Sequence, residues 1–200
     1  MDTHREWFNK KAETWDNVVL EAERCHRLFD LITVLDIQRD SRVLDVASGT
    51  GILIPWLLEI VGTGGKVVAV DFAEKMIDVA RGKYGDTGVD LLVADVQQLP
   101  FEDNSFDEVI CNSAFPHFAG KLDAMREMSR VLKSGGRLTI CHPAPREELN
   151  NFHRCLGGVV GNDMLPSESE MRQMAVKAGL DSVFIKDGPA TYLFTCRKVR

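Results

Sequence analysis

The chain has 200 residues, 44% hydrophobic and 27% charged, which suits one soluble domain with a buried core and no second domain. Its net charge of -6 argues against a general nucleic-acid or anionic-membrane binder, because neutralising phosphates needs a basic surface. No apolar run approaches a bilayer span, since Leu53 to Val61 is short and contains Pro55 and Glu59. The polar amino terminus and the 5 scattered cysteines, without a CxxC pair, lead us to expect a reduced cytoplasmic protein.

Residues 3 to 15 read as a short helix carrying Trp7, Phe8, Ala12 and Trp15. A longer helix is expected from Val18 to Asp36, with Leu20, Cys25, Leu28, Phe29, Ile32 and Leu35 near helical spacing. Together they make a helical cap over residues 1–38. Arg42 to Val46 is an apolar run interrupted by an acid, Asp45, and is read as a buried strand. The turn Ala47-Ser-Gly49-Thr-Gly51 follows, and then a helix from near Ile52 with Pro55 in its first turn. Gly49 and Gly51 lack a Cβ, so the loop can turn sharply and a ligand can lie against bare backbone.

Lys66 to Val70 is a second buried strand ending at Asp71. From that place, about 20–25 residues beyond the glycine loop, a carboxylate reaches ribose hydroxyls in doubly wound folds; the plainer reading is an N-cap for the helix from Ala73 to Lys83. That helix buries Met76, Ile77 and Ala80. Val89 to Ala94 is a third strand closed by Asp95, which could equally cap a turn. Phe106 to Cys111 is a fourth strand, followed by a loop from Asn112 to Phe118. Leu122 to Leu132 forms an amphipathic helix, and Lys133 to Gly136 turns into a fifth strand, Arg137 to Cys141. His142-Pro143-Ala-Pro145 breaks that strand. Ser167 and Glu170 form a capping box for a helix to Ala178, and strands over 181–186 and 190–197 complete the chain.

Three cofactor classes use a glycine loop after a first strand. The dinucleotide fingerprint fits weakly, because Ile54 stands where its last small residue is needed. No Lys follows the glycines, so the loop is not a phosphate-gripping P-loop. The pattern Asp45-x-Ala47-x-Gly49-x-Gly51 resembles the first motif of the class I, Rossmann-like S-adenosylmethionine-dependent methyltransferases, with Ala47 where Gly is usual. Three further stretches are similar to that family: Val70-Asp-Phe72-Ala-Glu-Lys-Met76, Ala94-Asp95-Val96-Gln-Gln-Leu99-Pro-Phe101, and Leu132-Lys-Ser-Gly-Gly-Arg-Leu138. Phe8 to Asp16 resembles the cap segment of small-molecule members. The likeness covers Phe8 to Cys141 well and the last third only in outline.

That resemblance implies an α/β, doubly wound, mostly parallel seven-stranded sheet with helices on both faces and the last strand antiparallel. It implies S-adenosyl-L-methionine as cofactor. Asp71 would hold the ribose, Phe72 would lie against the adenine with Met76 beside it, and Asp95 and Val96 would reach the adenine edge. Asn112 would sit near the methionine part. It also implies a small-molecule acceptor, with no nucleic-acid or membrane partner, and a monomer or homodimer. Residues 145–166 depart from the family and are expected to form a lid over the acceptor.

A sulfonium presents its methyl group to an aligned nucleophile, so orientation supplies much of the catalysis, and a base is needed only for a protonated acceptor. His117 and His142 fall just past strand ends on the cofactor side and are the candidate catalytic residues; His153 is a third. Cys141-His142 and His153-x-Cys155 could converge on a soft metal, although their spacing matches no standard zinc pattern. Two rival functions are a non-catalytic S-adenosylmethionine-binding protein and a nicotinamide-dependent reductase. The short-chain form of the latter needs a Tyr with a Lys four residues on, whereas Gly88 follows Tyr84 there and Cys196 follows Tyr192.

Overall fold

The computed structural model describes residues 3–19 and 22–199, and the side chains among these outside 18–25. Seven strands form one sheet in the order β3-β2-β1-β4-β5-β7-β6. They are β1 Arg42–Val46, β2 Lys66–Asp71, β3 Asp90–Val93, β4 Phe106–Asn112, β5 Leu132–His142, β6 Leu180–Asp187 and β7 Tyr192–Lys198. The first five run parallel, and β7 lies antiparallel between β5 and β6. The strand order reverses between β1 and β4, and such a switch point opens a crevice at the carboxyl ends of the strands.

Both faces of the sheet are covered, which is why β1 and β2 are buried along almost their whole length. On one face Leu44, Val46, Val68 and Val70 pack with Met125 and Met128 of helix α6 (Lys121–Val131) and Met171 of helix α8 (Glu168–Lys177). On the other, Val43, Val67 and Ala69 pack with Leu28 and Ile32 of α3 (Ala22–Thr33), Leu35 just beyond it and Leu57 of α4 (Ile54–Val61). Each such large side chain, fully buried, contributes about 1.5–3 kcal/mol. Ser167 caps α8 with both bonds of the capping box formed.

Of the helix expected over 18–36, the described residues show α2 (Trp15–Val19) and α3 (Ala22–Thr33), which ends three residues early. Leu20 and the Cys25 side chain lie outside the described residues. Phe29, expected in the core, is 51% exposed, and Leu31 is buried on that face instead. Strand β5 starts at Leu132 rather than Arg137. Leu132 pairs with Phe106, the register then shifts, and pairing resumes at Glu108–Arg137. Gly135 takes a positive φ of 77° within this bulge, where the sequence read as a turn. Residues 145–166 contain a regular helix, α7 (Arg146–Leu156), and one 3-10 turn at Gly158–Val160. The remaining helices are α1 (Thr3–Lys11) and α5 (Glu74–Tyr84). No helix among the described residues is long and apolar enough to cross a membrane.

Candidate active site

Strand β1 delivers Asp45 into the crevice and stops, because the next residues cannot stay extended. Ala47, Gly49 and Gly51 all take positive φ, at 54°, 57° and 82°. The Ser48 N–H donates to Val70 O at 3.0 Å, and the Gly51 N–H to Ser48 O at 3.0 Å. A Cβ on Gly49 would stand 3.4 Å from Trp15 Nε1, so the cap lies directly over this bend. Asp16 of α2 accepts from Thr50 Oγ1 at 2.5 Å and pairs with Lys83 at 2.7 Å, which ties the cap to the loop.

Asp71 closes β2 and welds the loop in place. One carboxylate oxygen accepts from the Gly49 N–H at 2.9 Å and the other from the Ala73 N–H at 2.8 Å. Burial pushes its pKa up to about 6, against the opposing pull of the Ala73, Gly49 and Phe72 amides. The N-cap of α5 (Glu74–Tyr84) is Ala73, with no side-chain cap bond, so Asp71 braces the turn before the helix and is not the N-cap of the plainer reading. Asp45 is 1% exposed and its Oδ2 has no partner. Burial, and then the charge of Asp71, push its pKa up to about 8. A buried carboxyl oxygen left unpartnered at the wall of a crevice suits a ligand that brings a cationic donor.

A cavity of about 600 Å³ runs from these acids across the sheet edge to α7. That is the size of a site for a ligand of small-molecule dimensions. Asp45, Ala47, Gly49, Asp71, Phe72, Met76, Asp95, Val96, Asn112, His117 and His142 all reach its wall. Gly51 does not. It is buried, and a Cβ there would meet Ile54 Cδ1 at 2.6 Å and the Tyr84 ring at 3.0 Å. Gly51 serves the turn and its packing. Asp95 is exposed and accepts from the Gln97 N–H at 2.8 Å, so it caps the short turn after β3 while facing the cavity. Asn112, at the end of β4, accepts from Cys141 Sγ at 3.6 Å and from Ser113 Oγ at 3.3 Å.

The far end of the cavity is made of imidazoles and apolar side chains. His142 ends β5 at 1% exposure with neither ring nitrogen partnered. Burial, reinforced by His117 and His153, pushes its pKa down to about 3, so it is neutral at ordinary pH. His117 sits in a 3-10 turn after β4, and its Nδ1 lies 2.7 Å from Asp163 Oδ2. His153 of α7 donates from Nδ1 to the Asp163 carbonyl, and its ring centroid is 4.9 Å from that of His117. Leu149, Phe152 and Leu156 of α7 and Val160 after it supply the apolar wall.

The metal idea does not survive. Cys141 lies in the core, where burial and then Asp45 push its thiol up to about 12, while Cys155 is exposed. Among the described residues no three His, Cys, Asp or Glu side chains group as a metal site. Sequence reasoning passed over Asp163, His4 and Asn150, which the fold brings to the far end of the cavity. The only advance signal was the spacing of Asn150 and His153, which puts both on one face of a helix.

Residues 44–140 match the family described as "Methyltransferase domain". Among solved structures, the fold superposes on a chain of the complex between the Haloferax volcanii Trm112 methyltransferase activator and a methyltransferase. The TM-score is 0.82 at 20% identity, over 100% of this chain and 99% of that one. It also superposes on a SAM dependent methyltransferase from Aquifex aeolicus, with TM-score 0.75 and 24% identity over 96% and 98% of the two chains. In sequence it is 34% identical to the ubiquinone/menaquinone biosynthesis C-methyltransferase UbiE of Pseudomonas fluorescens (strain Pf0-1), over 79% of this chain and 73% of that protein. It is 33% identical to the same enzyme of Pseudomonas fluorescens (strain SBW25), over 89% and 81%. The chain therefore belongs to the class I S-adenosylmethionine-dependent methyltransferases and transfers the donor's methyl group to a small-molecule acceptor.

Proposed function

We propose that the donor lies across the carboxyl ends of β1, β2 and β3 and the acceptor under α7. One continuous cavity with an unpartnered carboxyl group at one end and an unpartnered neutral imidazole at the other carries this reading. Asp71 takes the ribose hydroxyls; both of its oxygens already accept an amide, and each keeps a lone pair. Phe72, beside Met76, lies against the adenine, and Asp95 and Val96 meet its edge. Asp45 faces the methionine ammonium, and Asn112 and Gly49 border the same part.

The bound donor supplies an electrophilic methyl group on a positively charged sulfur. The chain's own residues align, shield and take a proton. His142 stays neutral and can accept from or donate to a polar group of the acceptor. His117 takes the proton that the acceptor releases. The apolar residues of α7 cover the acceptor's body, and with 145–166 as a lid they exclude water.

We further propose an electron-rich ring bearing a hydroxyl as acceptor, methylated at carbon. The names of the UbiE relatives and the apolar wall beside three imidazoles support this choice. The chain's -6 charge supports a protein that works without nucleic acid, and we propose a monomer or homodimer.

Two measurements test the reading. Calorimetry with S-adenosylhomocysteine should show Asp71→Ala weakening binding at least tenfold. Labelled donor with reduced benzoquinones and naphthoquinones that have an open ring position should yield ring-methylated product, lost in His117→Gln. Unchanged affinity in Asp71→Ala would overturn the donor assignment. Methyl found on oxygen, or on no ring acceptor, would overturn the acceptor.

A further inference from the structure

We infer that Asp163 is the positioning residue of the acceptor end: it sets His117 as the base, and through His4 it makes that setting depend on the closed cap. This rests on the proposed role of His117. The carboxylate lies between two imidazoles. His117 Nδ1 is 2.7 Å from Oδ2, and His4 Nε2 is 3.0 Å from Oδ2 and 3.2 Å from Oδ1. An ionised carboxylate can only accept, so both imidazoles donate to it. The neutral His117 ring is thereby fixed with its proton on Nδ1 and its lone pair on Nε2, on a residue that lines the cavity.

The backbone around Asp163 is fixed by other means. Asn150 of α7, buried, donates to Leu165 O at 3.1 Å and accepts from the Leu165 N–H at 2.8 Å. His153 donates to the Asp163 carbonyl, and the Asp163 N–H donates to Val160 O at 3.1 Å. With the segment anchored this way, the carboxylate is not needed to hold the chain. It bonds the two imidazoles, one on the cavity and one on the cap. Burial works to raise its pKa, but the bonds and charges of His117 and His4 prevail and hold it below the ordinary value.

The cap takes part through a single helix. His4 and Phe8 both belong to α1, one turn apart, and the Phe8 ring meets the His117 ring edge-on with centroids 5.2 Å apart. If α1 lifts, Asp163 loses one donor and His117 loses its cover in the same movement. The titratable groups around His117 are Asp163, His4, His142, His153 and Lys121, whose Nζ donates to Pro116 O and Phe118 O. Only Asp163 among them carries negative charge.

The test uses the full chain saturated with S-adenosylhomocysteine and follows the imidazole nitrogens by NMR across pH. In the unaltered protein His117 should keep its proton on Nδ1. In Asp163→Asn that preference should weaken to a mixture of the two tautomers, because the amide can meet either form of the ring, while affinity for S-adenosylhomocysteine stays within twofold. With a ring acceptor, Asp163→Asn should lower kcat about 10–100-fold and move the acid limb of the pH–rate profile, and Asp163→Glu should restore part of the loss. The double variant Asp163→Asn/His117→Gln should be no slower than His117→Gln.

An unchanged His117 tautomer in Asp163→Asn, or losses that multiply in the double variant, would overturn the positioning role. If His117→Gln keeps full turnover, the proposed base fails instead, and the NMR result still judges the Asp163–His117 pair. His4→Gln tests the cap. Amide exchange in α1 should quicken at least tenfold there and in Asp163→Asn, and unchanged exchange in both would remove His4 from the device.

Discussion

The proposed donor end and the proposed acceptor end of the cavity are built by different means. At the donor end the groups stand where strands stop, and backbone fixes them: Asp71 is held by two amides, and Gly49 by the left-handed turn it makes. At the acceptor end the groups come from α1, the turn after β4, the end of β5, α7 and the residues beyond it, and side chains hold one another. A strand end is a local feature, so the first arrangement can be repeated in many chains with different acceptors. The second exists only in the assembled fold, and it is free to differ in each chain. Loops and insertions on a fixed scaffold carry specificity for this reason.

The comparison breaks most sharply at Gly49. Valine there would force a branched side chain into positive φ, at roughly 1–2 kcal/mol, and push against Trp15 at the mouth of the donor site. We expect S-adenosylhomocysteine affinity to fall at least 100-fold by calorimetry, while the melting temperature drops only about 2–8 °C. The imidazole cluster should be left intact, so His117 should keep its proton on Nδ1. A variant that unfolds, or that binds normally, would mean that the two ends are not independent.

Acidity separates them next. Asp45 and His142 are shifted in opposite directions by the same burial, to about 8 and about 3. Between the unfolded value of Asp and pH 8 the folded protein holds a proton on Asp45 that the unfolded chain has lost, so this contribution to stability is lost as pH rises through that window. For His142 the unfolded chain gains the proton first, so stability is full above about 6.5 and is lost as pH falls toward 3. The two oppose each other below 6.5, and Asp45 acts alone from there to 8. Chemical denaturation of the ligand-free protein should show a loss of about 1–2 kcal/mol over that upper interval, absent in Asp45→Asn. His142→Phe should remove the acid-side loss only. Affinity for S-adenosylhomocysteine, whose ammonium favours the ionised acid, should rise with pH toward 8 and be flat in Asp45→Asn.

The same contrast explains what could be read from the amino-acid order. The sheet, its strand-end acids and the glycine bend were legible because each is specified within a few residues: an apolar run, an acid, a small-residue turn. Asp95 was legible twice over, as cap and as cavity wall, since the same carboxylate does both. A motif does not distinguish a glycine that a cofactor needs from one that packing needs, and the packing need at Gly51, against Tyr84, is visible only in the fold. Helix α7 was hidden by the surrounding prolines and glycines, although Leu149, Phe152, His153 and Leu156 share its inner side. Asp163 was invisible because its partners lie 46 and 159 residues away, and nothing local marks a carboxylate that acts at such separation.

The smallest expected effect concerns Ala47. The family pattern has Gly there, and the structure supplies the reason: φ is +54°, where a Cβ crowds the following carbonyl at roughly 1–2 kcal/mol. Ala47→Gly relieves that crowding but gives the unfolded chain more freedom, which returns about 0.4–1 kcal/mol. The net gain should be about 0.5–1 kcal/mol, a rise of roughly 1–4 °C in melting temperature by calorimetry. Donor affinity should hardly change, because the loop already has the conformation that Gly would allow. A loss of stability on Ala47→Gly would show that the Ala47 methyl, packed at the edge of the Leu44–Val46 core, contributes more than the backbone strain removes. The bend would then be held by side-chain packing after all, and the distinction drawn between the two ends would be one of degree.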